Sequence, residues 1–446
     1  MQFTEDKIHL IDKGEIKILL DVNSGAVHLL DEETFAVLQT LLVNGNNWDN
    51  LPAVADLAGI RDSLAELQAQ GLLLAVDDEI FPRGKQNVLK ALCMNVAHDC
   101  NLNCHYCFAS QGDFGGERKL MPVEVGKQAV DFLLKHSGSR TLCEMDFFGG
   151  EPLMAWPMVQ EVVLYGEAEA DRLGKKFHFT MTTNGVLLTT AVQNFLNQHE
   201  ISTVLSLDGR KEVHDRMRPT WTDAGSYDLI LPKYQEFAAS RDDYVIRGTY
   251  THFNLDFAAD VLHYFKEGFK NLSMEPVIGP VSADFSLRPE DFATIEQEYD
   301  QLAEAYLELY RSGNEMNFFH FNVDLDHGPC LPKRLTGCGA GVEYFALSPE
   351  GDLYPCHQFV GREEFKVGTL ATGIERTDLV QQFSEAHIYN KPLCKACWAR
   401  FFCGGGCHAN AEEFNQTLLT PYELGCRIQK KRLEAAIYVQ IMKKLG

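Results

Sequence analysis

The chain has little of what export, membrane insertion or nucleic-acid binding would need. Its opening, MQFTEDKIHL, has no basic region followed by an apolar run, and no stretch approaches the roughly 18 consecutive apolar residues of a membrane span. The expectation is a cytoplasmic protein with no membrane partner. Basic residues are scarce: 40 Lys and Arg stand against 63 Asp and Glu, a net charge of −23, so a phosphate backbone would meet repulsion and nucleic-acid binding is discounted. The acidic excess is spread along the chain and is accounted for by solubility. Cysteine is missing from residues 1–84, and without an export signal the 13 cysteines beyond argue for metal ligation or redox chemistry, not for a disulfide scaffold.

What is present is ordinary in bulk and unusual in placement. A hydrophobic content of 45% with 23% charged residues is that of a soluble globular protein, and 446 residues suggest about three domains. Cys93 and Cys143 stand alone in apolar segments and read as buried structural thiols. Cys100, Cys104 and Cys107 form a tight triplet in CNLNCHYC, and eight more cysteines lie from Cys330 to Cys426. A structural zinc site or a closed iron-sulfur cluster takes four protein ligands, so a triplet leaves one metal position for something else, unless His98 or His105 completes a zinc site.

The local patterns divide the chain into blocks. In residues 1–84, IHLIDKGEIKILLDVNSGAVHLL predicts two extended stretches joined by the turn NSGA, followed by a helix in DEETFAVLQTLLVNG and one or two more before a short strand. This small module resembles a winged helix, and FPRGKQN, residues 81–87, is its expected linker. From Val88 strands and helices alternate: strands are expected at 88–96, 143–148, 175–185, 201–209, 244–253 and 271–277, with helices between them. Repeated βα units imply an α/β fold with a parallel sheet, here a partial (β/α)6 barrel over residues 85–315, and ligands belong at the carboxyl ends of its strands. The triplet, GGEP, TTNG and SLDG all fall at such ends. Residues 316–446 make the cysteine-rich third block.

Three thiolates can hold a 4Fe-4S cube by three corners and leave one iron open to a small chelate such as an amino acid. Cys100, Cys104 and Cys107, with Tyr106 before the third cysteine, resemble the signature loop of the radical S-adenosylmethionine (SAM) enzymes. The resemblance implies that SAM occupies the open iron and is cleaved reductively to methionine and a 5′-deoxyadenosyl radical. It also implies SAM contacts at Gly149, Gly150, Glu151 and Pro152, with Glu151 at the methionyl ammonium, at Thr183 and Asn184, at Ser206 and Asp208 near the ribose, and at Arg218 and Arg247 for the carboxylate.

The downstream order, Cys338 and Cys356, then Cys394, Cys397, Cys403 and Cys407, then Cys426, resembles the SPASM extension of radical SAM peptide-modifying enzymes. That likeness implies two auxiliary 4Fe-4S clusters and three clusters in all. Cys338, Cys356 and Cys407 would serve the first, with Cys330 as its fourth ligand or that iron left open for a substrate thiolate, and Cys394, Cys397, Cys403 and Cys426 would serve the second. A zinc ribbon is the alternative for CKACWARFFCGGGC, and His408 reads as a packed neighbour of Cys407. Over nearly the whole chain the motifs are similar to maturases of the "six cysteines in forty-five residues" peptides. This implies a cysteine-rich ribosomal precursor as partner, its leader bound by residues 1–84, with flavodoxin or ferredoxin as electron donor in an anaerobic organism. The implied product is a thioether between a cysteine sulfur and an α-carbon. A carbon–carbon crosslink, or oxidation of Ser or Cys to formylglycine as in anaerobic sulfatase maturation, is the alternative.

Overall fold

The computed structural model describes residues 1–77, 79, 88–327 and 331–446, so the expected linker and Cys330 lie outside the described residues. The chain forms two units. The smaller combines Met1–Gly84, His320–Gly337 and Glu385–Gly446, and the larger combines Lys85–Phe319 and Cys338–Ser384. These are not three successive blocks: residues 338–384 belong with the barrel because of a strand pairing described below.

In the smaller unit, β1 (Ile8–Lys13), β2 (Ile16–Asp21) and β3 (Val27–Leu30) form an antiparallel sheet in that order. The first turn, through Gly14, splits what the sequence pattern reads as one extended stretch. The second is closed by Asp21, whose carboxylate accepts from Ser24 N at 2.9 Å and from its hydroxyl at 2.7 Å. Asp31 and Asp56 cap α1 (Glu32–Val43) and α2 (Leu57–Ala69) by accepting from Thr34 N and Gly59 N. These helices bury Val37, Leu38, Leu41 and Leu64 with Phe3, Ile8 and Leu19. The short strand expected after α2 is not formed; residues 71–77 are turns and coil.

The same unit closes on the far end of the chain. His9 stacks on Trp398 with ring centroids 3.8 Å apart and donates from Nε2 to Glu434 Oε1 at 2.8 Å. The guanidinium of the buried Arg400 donates to Asp6 O and to Asn23 Oδ1, and Tyr389 donates to Asp77 at 2.8 Å. The helix Glu423–Leu445 supplies both Glu434 and Tyr438, over whose ring Lys13 lies.

In the larger unit the parallel strands are β4 (Ala91–His98), β6 (Leu142–Gly149), β7 (Lys176–Thr183), β8 (Ser202–Ser206), β9 (Tyr244–Tyr250), β10 (Asn271–Pro276) and the short β11 (Asn317–Phe318); β5 (Lys119–Leu120) pairs antiparallel with β4. Helices Val123–His136, Trp156–Arg172, Thr190–Gln198, Tyr227–Ser240 and Phe257–Lys266 connect them. All eight residues of β4 are buried, as an apolar central strand of a covered parallel sheet requires. In β6 to β9 burial alternates: Met145, Phe147, Met181, Leu205 and Ile246 face the helices, and the alternate residues face a partly open side.

Beyond β4 the sheet gains β12 (Tyr344–Leu347), parallel to it with Ala346 opposite Cys93, and then the antiparallel β13 (Asp352–Tyr354). The strand order runs β11-β10-β9-β8-β7-β6-β4-β12-β13, so the sheet is an open, partial barrel.

Candidate functional site

The cysteine loop leaves the carboxyl end of β4 and is strapped down by main-chain bonds. Asn103 N donates to Pro219 O at 2.9 Å and His105 N to Met217 O at 3.0 Å. Leu102 is buried and bridges to Thr220. The three thiols are neither sealed nor fully exposed. Burial pushes Cys100 up to about 12, with Glu151, Cys104 and Cys107 adding to it, so the three sulfurs act on one another. Buried thiols of this kind lose their protons to a bound metal more readily than to water, and a set of three cysteines within eight residues fits a thiolate-held iron centre. His98, considered for zinc, is instead stacked on Phe114 at 4.6 Å, and His105 points into solvent.

GGEP lies directly against this loop. Gly150 N donates to Ala97 O at 2.7 Å and Glu151 N to Asp99 O at 2.9 Å. A Cβ at Gly149, where φ is +127°, would lie 2.4 Å from Ala97 O, and one at Gly150 would lie 2.2 Å from Asp99 O. The glycines are therefore required by the chain's own close approach, before any ligand is considered.

Glu151 is fully buried. Its carboxylate accepts from Thr183 Oγ1 at 2.7 Å, Asn184 N at 2.8 Å and Leu153 N at 3.0 Å, while burial holds its pKa up at about 7. It thus ties GGEP to TTNG. Asn184 extends the tie, donating from Nδ2 to Asn101 Oδ1 at 2.7 Å and to Cys100 Sγ at 3.6 Å. The sequence placed Thr183 and Asn184 only against SAM; here they brace the cysteine loop as well.

Asp208 forms a second buried hub. Its Oδ2 accepts from Tyr106 OH and from Arg218 Nε at 2.8 Å, and its Oδ1 from Thr249 N at 3.0 Å. Arg218 also lies 5.4 Å from the Tyr106 ring and opposes the upward push of burial on Cys104. Glu151 and Asp208, expected at the methionyl ammonium and the ribose, are therefore both enclosed and engaged by chain donors. Ser206 and Arg247 are the accessible pair: they sit side by side in the β8–β9 register, and the Arg247 side chain is 55% exposed, 3.9 Å from Glu275. Sequence motifs could not separate these two groups, because burial depends on strands far apart in the chain.

His214 completes the hub. Asp208 N donates to its Nδ1 at 3.2 Å, so its Nε2 donates to Ser226 Oγ at 2.9 Å, and Ser226 in turn donates to Arg218 O at 2.6 Å. Burial pushes this imidazole down to about 3, against an ordinary value of 6.5. Between those values the unfolded chain takes up a proton that the folded chain refuses, so His214 supports folding fully above pH 6.5 and less as pH falls toward 3. We expect the unfolding free energy to fall with acid by up to about 1.4 kcal/mol per pH unit from this group. That component should vanish in His214→Asn, followed by urea denaturation at a series of pH values.

The remaining cysteines fall into both units. Cys338, exposed, and Cys356, buried, belong to the larger one; Cys394, Cys397, Cys403, Cys426 and the exposed Cys407 belong to the smaller. In the smaller unit Cys394, Cys397, Cys403 and Cys426 act on one another: burial raises Cys394 to about 12 and Cys426 to about 11, with the other members of the set adding repulsion. Cys93 and Cys143 are buried as expected, but Cys93 is not isolated, since Tyr344 hydrogen-bonds it and Cys356 acts on it. His357, next to Cys356, packs against Phe108 and Phe148 and stands 3.4 Å from Tyr344 OH, contacts with no local sequence signal.

Residues 94–230 match the radical SAM superfamily model. The chain contains a radical SAM domain. It is 24% identical over 345 residues to a cysteine-type anaerobic sulfatase-maturating enzyme of Clostridium novyi, covering 73% of this chain and 89% of that one. Among solved structures, native anSMEcpe with bound AdoMet superposes with a TM-score of 0.67 at 20% identity, over 80% of this chain and 100% of the other. Streptococcus suis SuiB bound to precursor peptide SuiA gives 0.54 at 15% identity, over 95% of this chain and 100% of the other. At these identities the structures share the radical SAM fold with this chain. The matched segment runs from β4 past SLDG, and so takes in the cysteine loop and both buried hubs.

Proposed function

We propose that this radical SAM enzyme modifies a ribosomally made precursor peptide, joining a cysteine sulfur to the α-carbon of an acceptor residue. The observation that carries the peptide assignment is the N-terminal sheet. Its β1 side is covered by Trp398 and the helix bearing Glu434, whereas β3 has no further strand partner among the described residues. An uncovered strand edge beside a helix is suited to an added peptide strand. The likeness to SuiB, bound there to a precursor peptide, supports this reading: it leaves out only a twentieth of this chain, less than residues 1–84. On this view residues 1–84 are a winged-helix-like leader-binding module.

In this reading Cys100, Cys104 and Cys107 hold the cluster that binds SAM. When bound, the reduced cluster and SAM supply a carbon radical able to take a hydrogen atom from the peptide. The chain's part is to fix and shield that site. Asn184 donates to the Cys100 sulfur, Arg218 places a cation beside Cys104, and the Arg247–Ser206 pair presents a charged and a hydroxyl donor to the carboxylate and ribose. Tyr106, Glu151, Asp208, Thr183 and the main chain of Gly149, Gly150 and Pro152 shape its walls. Cys338, Cys356 and Cys407 are proposed for the first auxiliary cluster and Cys394, Cys397, Cys403 and Cys426 for the second. The net change in the peptide is the loss of two hydrogens: the one on carbon would leave as an atom to the deoxyadenosyl radical, the thiol proton would go to solvent, and the one remaining electron would pass to an auxiliary cluster.

The test is anaerobic reconstitution with SAM, a reductant and a cysteine-rich precursor, read by tandem mass spectrometry. A two-hydrogen loss with one cysteine no longer alkylatable is the expected result. Deoxyadenosine formed while every thiol still alkylates rejects the thioether. The name of the Clostridium novyi relative favours a second reading, oxidation of a cysteine or serine in a sulfatase, and a sulfatase peptide in the same assay separates the two.

The leader site gives its own prediction. Leu29, 48% exposed on β3, becomes a charged edge residue in Leu29→Asp, which should weaken binding of a fluorescent leader peptide about tenfold while iron content stays unchanged. Unaltered anisotropy titrations would remove β3 from the site.

A further inference from the structure

Phe108 follows Cys107 directly and has no part in the roles assigned above, yet this large apolar ring is 50% exposed. The backbone beyond it is strained: Ser110, Gln111 and Phe114 have left-handed φ of +50°, +56° and +55°, although none is glycine. Ala109 O gathers this turn, accepting from Gly112 N at 2.8 Å and from Phe114 N at 2.9 Å. The turn lies against the cysteine loop, where a Cβ on Gly112 would fall 2.8 Å from that of Cys100. Phe108 and Phe114 are thus set on two sides of one fixed turn, edge to face with ring centroids 6.1 Å apart, and Phe114 is held by its stack on His98. Strain of this kind persists only where the surroundings over-determine it, and here it holds an aromatic ring in water.

Two more rings of the larger unit extend Phe108 into a wall. Phe148 lies 6.3 Å from it and His357 5.5 Å, and these two are 4.9 Å from each other. Phe147 faces the helices, so Phe148 faces the open side of the sheet, as Ser206 does on β8 and Arg247 on β9. The open side is therefore divided. Its β8–β9 part carries a hydroxyl and a guanidinium, which suit the polar groups of SAM. Its β6 part carries aromatic rings, which suit an apolar group.

We propose that Phe108, with Phe148 and His357, packs the side chain of the peptide's acceptor residue and selects an apolar one. The inference rests on the reading of this chain as a peptide-modifying enzyme. Phe108 is one residue from Cys107, so the side chain that reaches the wall belongs to the residue brought to the radical site. In an extended peptide the side chains on either side of it point the other way. A ring already fixed by its own turn loses little freedom when covered, so the area buried against it appears as selectivity.

The test uses the full chain, reconstituted anaerobically with SAM and a chemical reductant. The acceptor of the cysteine-rich precursor is located by tandem mass spectrometry and changed to Leu, Ala or Asp. Pairs of these peptides compete in one vessel, so the ratio of their kcat/KM values does not depend on how much of the enzyme carries iron. The parent should favour Leu over Asp at least about tenfold, and Phe108→Ala should lower that ratio about tenfold. Phe108→Trp, which fills the space in front of the wall, should lower the Leu-to-Ala ratio by about threefold or more.

A parent that shows no preference, or a Leu-to-Asp ratio that Phe108→Ala leaves unmoved, overturns the proposal. If Phe108→Ala is too poorly folded to turn over, Phe108→Trp decides: a lowered Leu-to-Ala ratio supports the wall and an unmoved one rejects it. A parent that crosslinks neither the unchanged precursor nor any of the three peptides overturns the peptide reading itself, a failure separate from unmoved ratios.

Discussion

Cys104→Ala should abolish deoxyadenosine formation and remove about four irons per chain, the content of one cube. Cys104 stands between the other two thiols of the loop, and burial pushes it up to about 12, so at neutral pH only a metal draws off its proton. No neighbour can replace it: His105 is exposed, Tyr106 donates to Asp208, and the loop backbone is tied to Met217 and Pro219. With two thiolates left, the cube has two uncovered irons and is lost or bleached. Iron and sulfide assays with chromatographic measurement of deoxyadenosine check this. The expected fall in turnover is at least about a thousandfold, since the variant lacks the electron source for SAM cleavage. Wild-type iron content in this variant would refute the assignment of the loop.

Arg218→Met should be the most destabilising single change in the barrel rim, by about 3–5 kcal/mol. It leaves the carboxylate of Asp208, which is fully enclosed, without its cation while Tyr106 OH and Thr249 N still point at it. Asp208→Asn in the same chain removes the uncompensated charge and should recover part of the loss, because the penalty lies in the unpaired ion more than in the missing contact. Chemical denaturation of the two single variants and the double variant measures the coupling. Additive losses would show that the pair is not a unit. The carboxyl end of β8 and the loop holding Cys104 share this hub, so the variant should also load less iron into the radical site, which the iron assay reports.

Much of this site is legible in the sequence because local pattern fixes it. The period-2 and period-3.6 segments give the barrel strands and helices to within a few residues, and each motif follows a strand, so convergence at one rim follows from topology. Tertiary pairing is what the pattern omits. Nothing within residues 338–354 announces that Tyr344–Leu347 will lie parallel to Ala91–Met94, so a boundary drawn at 316 does not foresee that pairing. The functions of Glu151 and Asp208 are illegible for a related reason. A carboxylate after a strand reads as a ligand contact until the strands beside it are known to enclose it. Arg218, which the sequence offers as a carboxylate partner for SAM, is paired with Asp208, a partner that no local pattern announces.

The joining of His9 and Arg400 to opposite ends of the chain has a consequence for biosynthesis. The three-stranded module leaves the ribosome well before Trp398, Arg400 and Glu434, which cover its β1 side. At about 5–20 residues per second, that strand edge waits tens of seconds for its cover. During that interval the nascent chain has two bare sheet edges, one of which is temporary and open to neighbouring chains on the same message. A chain released before its last helix is complete keeps that edge permanently, which makes truncated products the species most prone to aggregate during overexpression.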